Sequence, residues 1–173
     1  MKELETERLR LRKIRADDAQ RIFCFWASDP EVTRYLTWLP HASVDVTEKV
    51  IAGWLEEYEK PDCYRYGIEL KESGELIGMI DVVGYHHGKP VIGYCSGRPA
   101  WGRGYMTEAL KAVCAMLFDE GYDTIVIEAV QENIGSNRVI RKAGFTFVCS
   151  CERALSQRKP EIVTINSYRL YRA

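Results

Sequence analysis

The chain has 173 residues, of which 46% are hydrophobic and 28% charged, with a formal net charge of −1. That length suits one domain over residues 1–173 and is enough to bury roughly 70% of the unfolded surface. The balanced charge supplies no global field for nucleic acid or an anionic membrane, and no apolar run approaches the ~20 residues that span a bilayer.

The start, "MKELETERLRLR", lacks the apolar core and small-residue cleavage site of a signal peptide. Six cysteines stand at 24, 63, 95, 114, 149 and 151, mostly inside apolar runs. Buried free thiols in a reducing cytosol are therefore expected. Cys149 and Cys151 share one face of a strand, and no second Cys or His pair stands at zinc spacing, so no metal is expected.

"RLRLRKI" alternates strictly and predicts an edge or half-exposed strand. Asp17 or Asp18 can cap the next helix, whose apolar face is Ala19, Ile22, Phe23 and Trp26. "SDPEVTRYLTWLPHAS" reads as a short helix and a loop. Asp45 and Glu48 have capping-box spacing before a helix with Val46, Val50, Trp54 and Tyr58 on one stripe, flanked by Ile51 and Leu55. Pro61 closes it.

Three strands follow, "CYRYGIEL", "LIGMIDVVGY" and "VIGYC", joined by the turns "KESGE" and "HHGKP". A helix from about Tyr105 to Asp119 buries Met106, Ala109, Leu110, Val113 and Leu117, with Gly121 as its stop. "TIVIEAV" is a buried-type strand, and a short helix spans about Gly135 to Ala143. "FTFVCSC" and "VTINSYRLY" predict a closing antiparallel pair. This order gives an α+β layout with one sheet.

The stretch from Val91 to Phe118 carries the chemistry. Glycines at 97, 102 and 104 lie at the mouth of a helix, and no acidic residue follows until Glu108. A helix start has about four unpaired N–H groups and a partial positive charge. Gly102 and Gly104 let a ligand approach the backbone, Arg98 and Arg103 add charge, and Thr107 adds a hydroxyl. Physically this is a pyrophosphate cradle. It matches neither the nucleotide P-loop nor the full dinucleotide fingerprint, and a plain strand-to-helix turn would also use these glycines.

"ENIGSNRVIRKAGF" follows the next strand directly. With both motifs in place, the sequence resembles the GNAT acetyltransferase superfamily, and within it the RimJ/RimL-like branch, named for enzymes that acetylate the N-termini of ribosomal proteins. "TERLRLRKIRADDA" fits the same branch. The resemblance implies a mixed, mostly antiparallel central sheet, splayed between its fourth and fifth strands, with about four helices on its faces.

It also implies roles for particular residues. Main-chain N–H groups around Trp101, Gly102, Arg103, Gly104, Tyr105, Met106 and Thr107 would hold the acetyl-CoA pyrophosphate. Trp101 and Met106 depart from the superfamily pattern at its first and last positions. The pantetheine arm would bond to backbone near Cys95 and Ser96, and Asn133 and Asn137 would hold the cofactor from the other side. Asn133 is equally a helix N-cap. The position that often carries a catalytic Tyr is Ile140 here. Ser136 is the general acid in RimL-like enzymes, although a Ser in a first helical turn also serves as a cap.

The strand position where many relatives have a basic Glu is Val91. Glu128, Asp81, and His86 or His87 are candidate replacements, with Glu128 on the fifth strand put forward for catalysis beside Ser136. Without a strong base, an α-amine with a reference pKa near ~7.8 is an easier acceptor than a lysine amine at ~10.4. The expected activity is acetyl-CoA-dependent N-acetylation of a primary amine, with a protein N-terminus favoured over a small-molecule or antibiotic amine. A non-catalytic acyl-CoA-binding domain is the rival reading, because both the strand Glu and the helix Tyr are missing. Acetyl-CoA and the amine are the expected partners. A homodimer stays open, and no nucleic acid or membrane is expected. "WASDPEVTRYLTWLPHAS" and "CERALSQRKPEIV" would wall the acceptor pocket, with Trp26, Tyr35, Trp38 and His41 as its aromatic surface or as core.

Overall fold

The computed structural model describes residues 1–172. Eight strands form one sheet: β1 (Leu4–Glu5), β2 (Leu9–Arg12), β3 (Arg65–Leu70), β4 (Leu76–His86), β5 (Lys89–Ser96), β6 (Thr124–Val130), β7 (Thr146–Ala154) and β8 (Ile162–Tyr171). Their spatial order is β1-β2-β3-β4-β5-β6-β8-β7. Five α-helices accompany it: α1 (Ala19–Ile22), α2 (Pro30–Thr33), α3 (Val44–Glu57), α4 (Tyr105–Asp119) and α5 (Ile134–Lys142). This is the expected mixed α+β architecture.

Two cores lie on opposite faces of the sheet. Helices α4 and α5 cover Leu9, Leu11, Ile68, Ile80, Ile92, Ile125 and Ile127. The first three helices cover Ile14, Leu76, Met79 and Cys95 with Ile22, Trp26, Val32 and Ile51. Residues 79 and 80 supply one core each, as strand alternation requires.

Local chemistry sets the connections. His87 and Gly88 form a two-residue hairpin loop with φ of 50° and 74°. That geometry suits the right-handed twist of the flanking strands. Helix α4 ends at Gly121, φ 99°, where the Tyr122 N–H donates to the Leu117 carbonyl and the Gly121 N–H to that of Phe118. Such a left-handed C-terminal cap needs glycine.

Four expectations need correction. "RLRLRKI" is not an edge, because Leu4–Glu5 adds a strand outside it. Two residues give too short a pattern to read. Helix α3 starts after Ser43, which puts Asp45 inside the first turn with no capping box. Its buried line is Thr47, Ile51 and Tyr58, while Val46 and Leu55 are exposed. Hydroxyl-bearing Thr47 hid this rotation of the stripe. Only Cys95 and Cys114 are buried among the thiols: Cys24, Cys149 and Cys151 are exposed and Cys63 half-buried. Strand β7 lies on the sheet's outer edge and is exposed along its length, so its apolar letters do not report burial.

The alternation of β2 breaks at Arg12, which is 4% exposed. Its guanidinium donates to both Asp18 carboxylate oxygens at 2.8 and 2.9 Å and to Glu69 at 2.6 Å. Burial pushes the Asp18 carboxyl up. Hydrogen bonds from Arg12 and the Arg15 main chain outweigh that and hold it below the ordinary carboxylate range. A lowered folded-state pKa gives stability that is full above the unfolded pKa near ~3.9 and is lost as pH falls through the folded value. Asp18→Asn should therefore cost about 2 kcal/mol at pH 7 and flatten the loss of stability below about pH 4. Urea midpoints at both pH values check this, and an unchanged acid limb would refute it.

Candidate active site

The donor loop begins where β5 ends. A Cβ on Gly97 would lie 2.3 Å from the Phe25 ring, so the chain passes there only as glycine. A 3-10 turn over Arg98–Ala100 follows, and the Trp101 main-chain N–H closes back onto the Arg98 carbonyl. The Trp101 indole donates to the Ser96 carbonyl at 2.8 Å. Gly102 and Gly104 adopt φ of 74° and 81°, and Gly104 is the N-cap of α4. Among the described residues the N–H groups from Gly102 to Thr107 donate to no protein acceptor. The first main-chain bond of the helix runs from Glu108 N–H to the Gly104 carbonyl. Unpaired donors converging at a helix start are an anion site by construction, and the acetyl-CoA pyrophosphate fits it chemically.

The charges around this loop differ from the expectation. Arg98 is engaged with Asp29 at 2.6 Å. Arg8 is a second cation beside the loop: its guanidinium lies 4.6 Å from the Tyr105 ring centroid, donates to the Arg103 carbonyl at 3.0 Å and is itself paired with Glu108. Glu108 does stand in the first turn of α4. Its carboxylate accepts from the Thr6 hydroxyl at 2.6 Å and from the Arg8 main chain and side chain at 2.9 and 2.7 Å. Burial raises its pKa, but these bonds outweigh burial and lower it. The acid is neutralised beside the donors instead of competing for them.

Beyond the loop, the sheet opens. Strands β5 and β6 pair in parallel only at Val91 with Val126 and Ile92 with Ile127. From Gly93 to Ser96 the inner edge of β5 faces β6 without pairing, as the splayed sheet requires. Cys95 is buried and Ser96 half-buried along this gap.

Helix α5 borders the gap on the α4 side of the sheet. Asn133 is its N-cap, and its Oδ1 accepts the Ser136 N–H at 3.1 Å. The Ser136 hydroxyl is therefore free of capping duty and lies 2.9 Å from the Tyr94 hydroxyl. Burial pushes the Tyr94 phenol up, so it stays protonated at neutral pH. Asn137 has a different task from cofactor contact. Its Nδ2 donates to the carbonyls of Val130 and Asn133 at 2.9 and 2.8 Å, and its Oδ1 accepts from Asn166 at 3.0 Å and Tyr168 at 2.6 Å. That uses the whole hydrogen-bonding capacity of an amide.

On the other face, a cleft of about 660 Å³ runs from the gap toward the β7–β8 hairpin. Ser136, Asn133, Tyr94 and Cys95 line its inner end, and Tyr35, Trp38, His41 and Trp54 line its outer wall. Trp26 reaches it but is otherwise core. Burial holds the His41 imidazole below its ordinary pKa, and its Nδ1 lies 2.8 Å from the Thr47 hydroxyl. Two carboxylates reach the cleft floor. Glu128 is exposed and paired with Arg153. Asp81 is buried and bonded to Arg65 at 3.0 Å. His86 and His87 are not among the lining residues. Sequence reasoning missed Arg8 and Tyr94, whose contacts span 95 and 42 residues and leave no local signal.

Residues 8–146 match the acetyltransferase (GNAT) domain model. The chain belongs to the GNAT acetyltransferase family. It is 31% identical over 152 residues to uncharacterized N-acetyltransferase p20 of Bacillus licheniformis, covering 84% of this chain and 83% of that protein. It is 34% identical over 148 residues to uncharacterized N-acetyltransferase YoaA of Bacillus subtilis, with 82% and 81% covered. A solved structure of RimL, the ribosomal L7/L12 alpha-N-protein acetyltransferase in complex with coenzyme A, superposes with a TM-score of 0.85 at 20% identity, covering 98% of each chain.

As a GNAT member the chain is an N-acetyltransferase with acetyl-CoA as acyl donor. Among the described residues no group of three or more His, Cys, Asp or Glu is placed to hold a metal ion. No helix among them is long and apolar enough to cross a membrane.

Proposed function

We propose that this GNAT enzyme acetylates a primary amine by direct attack on the thioester, with a protein N-terminal α-amine as the favoured acceptor. One observation carries the reading. Beyond Ile92 β5 parts from β6, its residues Gly93 to Cys95 line an aromatic cleft, and its end runs into the loop whose residues 102–107 hold unpaired donors. Main chain from Gly102 to Thr107, with Arg8 nearby, holds the diphosphate. Backbone at Cys95 and Ser96 guides the pantetheine arm, and the free amide nitrogen of Asn133 faces it.

In the reaction the amine nitrogen bonds to the thioester carbon, the carbonyl oxygen gains charge, and collapse breaks the C–S bond. Unpaired main-chain donors on β5 stabilise the oxyanion. Ser136 gives the departing thiolate its proton, and Tyr94 orients the Ser136 hydroxyl from behind. Trp38, His41 and Trp54 offer flat apolar surface to the acceptor. An α-ammonium gives up its proton more readily than a lysine ammonium, which suits a site where the strand Glu is replaced by Val91.

A thiol-release assay with acetyl-CoA tests this over peptides with free N-termini, Nα-blocked lysine peptides, polyamines and aminoglycosides. At pH 7 the free N-termini should turn over fastest. Faster turnover of lysine or polyamine amines would overturn the acceptor class, and CoA binding without turnover of any amine would overturn the catalytic reading.

RimL, a ribosomal L7/L12 alpha-N-protein acetyltransferase, lends the α-amine reading support by likeness of fold.

A further inference from the structure

The position on β5 where a basic residue would reach the cleft is Val91, which cannot take a proton. Two places along, Gly93 lies on the same face of the strand and has no side chain. Directly across the ladder from Gly93 is Asp81 on β4. A Cβ built on Gly93 would sit 3.8 Å from Asp81 Oδ1 and 2.7 Å from a Val83 methyl. The Val83 methyl takes part of the space a Gly93 side chain would fill, and the Asp81 carboxylate lines the cleft beside it at the first unpaired residue of the gap.

We propose that Asp81 is the proton acceptor for the incoming amine. This rests on the transferase reading above and deepens it. Asp81 Oδ2 accepts from Arg65 Nε at 3.0 Å. Arg65 is held in turn by Glu57 and lies over the Trp54 ring, with its guanidinium carbon 5.1 Å from the centroid. This chain fixes one carboxylate oxygen and leaves Oδ1 without a protein donor, in a cleft walled by Trp38, His41 and Trp54. A buried acceptor with a free lone pair, beside aromatic faces, is built to receive an ammonium. Burial also pushes the Asp81 carboxyl up, although Arg65 opposes it, so the carboxylate is a better base than a solvated one. Glu128, on the opposite flank of Gly93, is exposed and paired with Arg153.

The two faces of the sheet divide the work. Asp81, Gly93 and Cys95 face the first three helices, while Tyr94 and Ser136 lie on the α5 side. The amine enters past Asp81 and the thiolate departs toward Ser136. Protons balance as follows. The ammonium gives one proton to Asp81, which later releases it to water. The nitrogen then bonds to the acetyl carbon and the C–S bond breaks. A second proton passes from nitrogen through the Ser136 hydroxyl to sulfur, and the third stays on the amide.

The test measures thiol release at pH 7 from acetyl-CoA with an alanine-initiated peptide, an ammonium at this pH, and with methoxyamine, already neutral. Asp81→Asn should lose about 10²-fold in kcat with the peptide and keep wild-type CoA affinity by calorimetry. With methoxyamine the loss should shrink to a few-fold, because no proton must be taken before attack. Should Asp81→Asn fail to fold, Gly93→Ala keeps the carboxylate, sets a methyl against Oδ1 once the exposed Val83 side chain moves aside, and should give the same split between the two amines. Equal losses with both amines, an unchanged rate, or a loss carried by Glu128→Gln instead would overturn the assignment alone. No release by the wild type with either amine would overturn the transferase reading and this assignment with it.

Discussion

Gly104→Asp is expected to weaken CoA binding by about 10³-fold, read by calorimetric titration. Three effects add. The φ of 81° strains any residue with a Cβ by about 1 kcal/mol. The new Cβ would lie 3.4 Å from an Arg8 guanidinium nitrogen, so the carboxylate would compete with Glu108 for Arg8. It would also stand among the donors of residues 102–107, where a diphosphate belongs. Hydrogen bonds to a charged group contribute roughly 1.5–3 kcal/mol each, and each tenfold in affinity is about 1.4 kcal/mol. Losing one or two such bonds to repulsion therefore reaches the stated figure. Gly104→Ala separates strain from charge: it should cost only about tenfold, since it carries the strain alone. Wild-type affinity in the Asp variant, with the fold intact by melting, would place the diphosphate elsewhere.

The second large effect is on turnover. Ser136→Ala should lower kcat by about 10²-fold while CoA affinity stays nearly unchanged. The structure makes this a clean substitution. Asn133, not Ser136, caps α5, so the helix start survives. The Tyr94 hydroxyl, 2.9 Å from Ser136 Oγ, keeps a bond to the Ser136 carbonyl at 3.2 Å and is not stranded. An acyl donor whose leaving step is eased, an acetyl aryl thioester in place of acetyl-CoA, should recover most of the loss. Unchanged kcat in Ser136→Ala would return the residue to a purely local role.

The sequence was most legible where one element carries its own signals. The α4 boundaries, Tyr105 to Asp119, follow from glycines before it and Gly121 after it. The opening between "VIGYC" and "TIVIEAV" follows from the family likeness, while their parallel pairing at two positions is a finding of the structure. What stayed hidden depends on partners far along the chain. Arg98 looked free because Asp29, its partner, is 69 residues away. The helix start reads as free of acid until Glu108, yet Glu108 stands in its first turn and is tied down by Thr6 and Arg8 from a hundred residues upstream. Asn137 looked like a ligand contact because polar residues in a motif invite that reading. Its bonds to Asn166 and Tyr168 exist only once β8 has folded beside β6. The stripe of α3 misled because a buried Thr47 reads as polar.

The Asn137 hub has a consequence for how transfer proceeds. It joins α5 to the end of β6 and to β8 at once, through bonds of 2.6 to 3.0 Å. The helix bearing Ser136 cannot slide or tilt without breaking several of them together. In the proposed mechanism the hydroxyl is thus aimed when the protein folds, before either substrate arrives, and little ordering entropy is left to lose in the transition state. Turnover can proceed on a rigid frame, with motion confined to the entering and departing molecules.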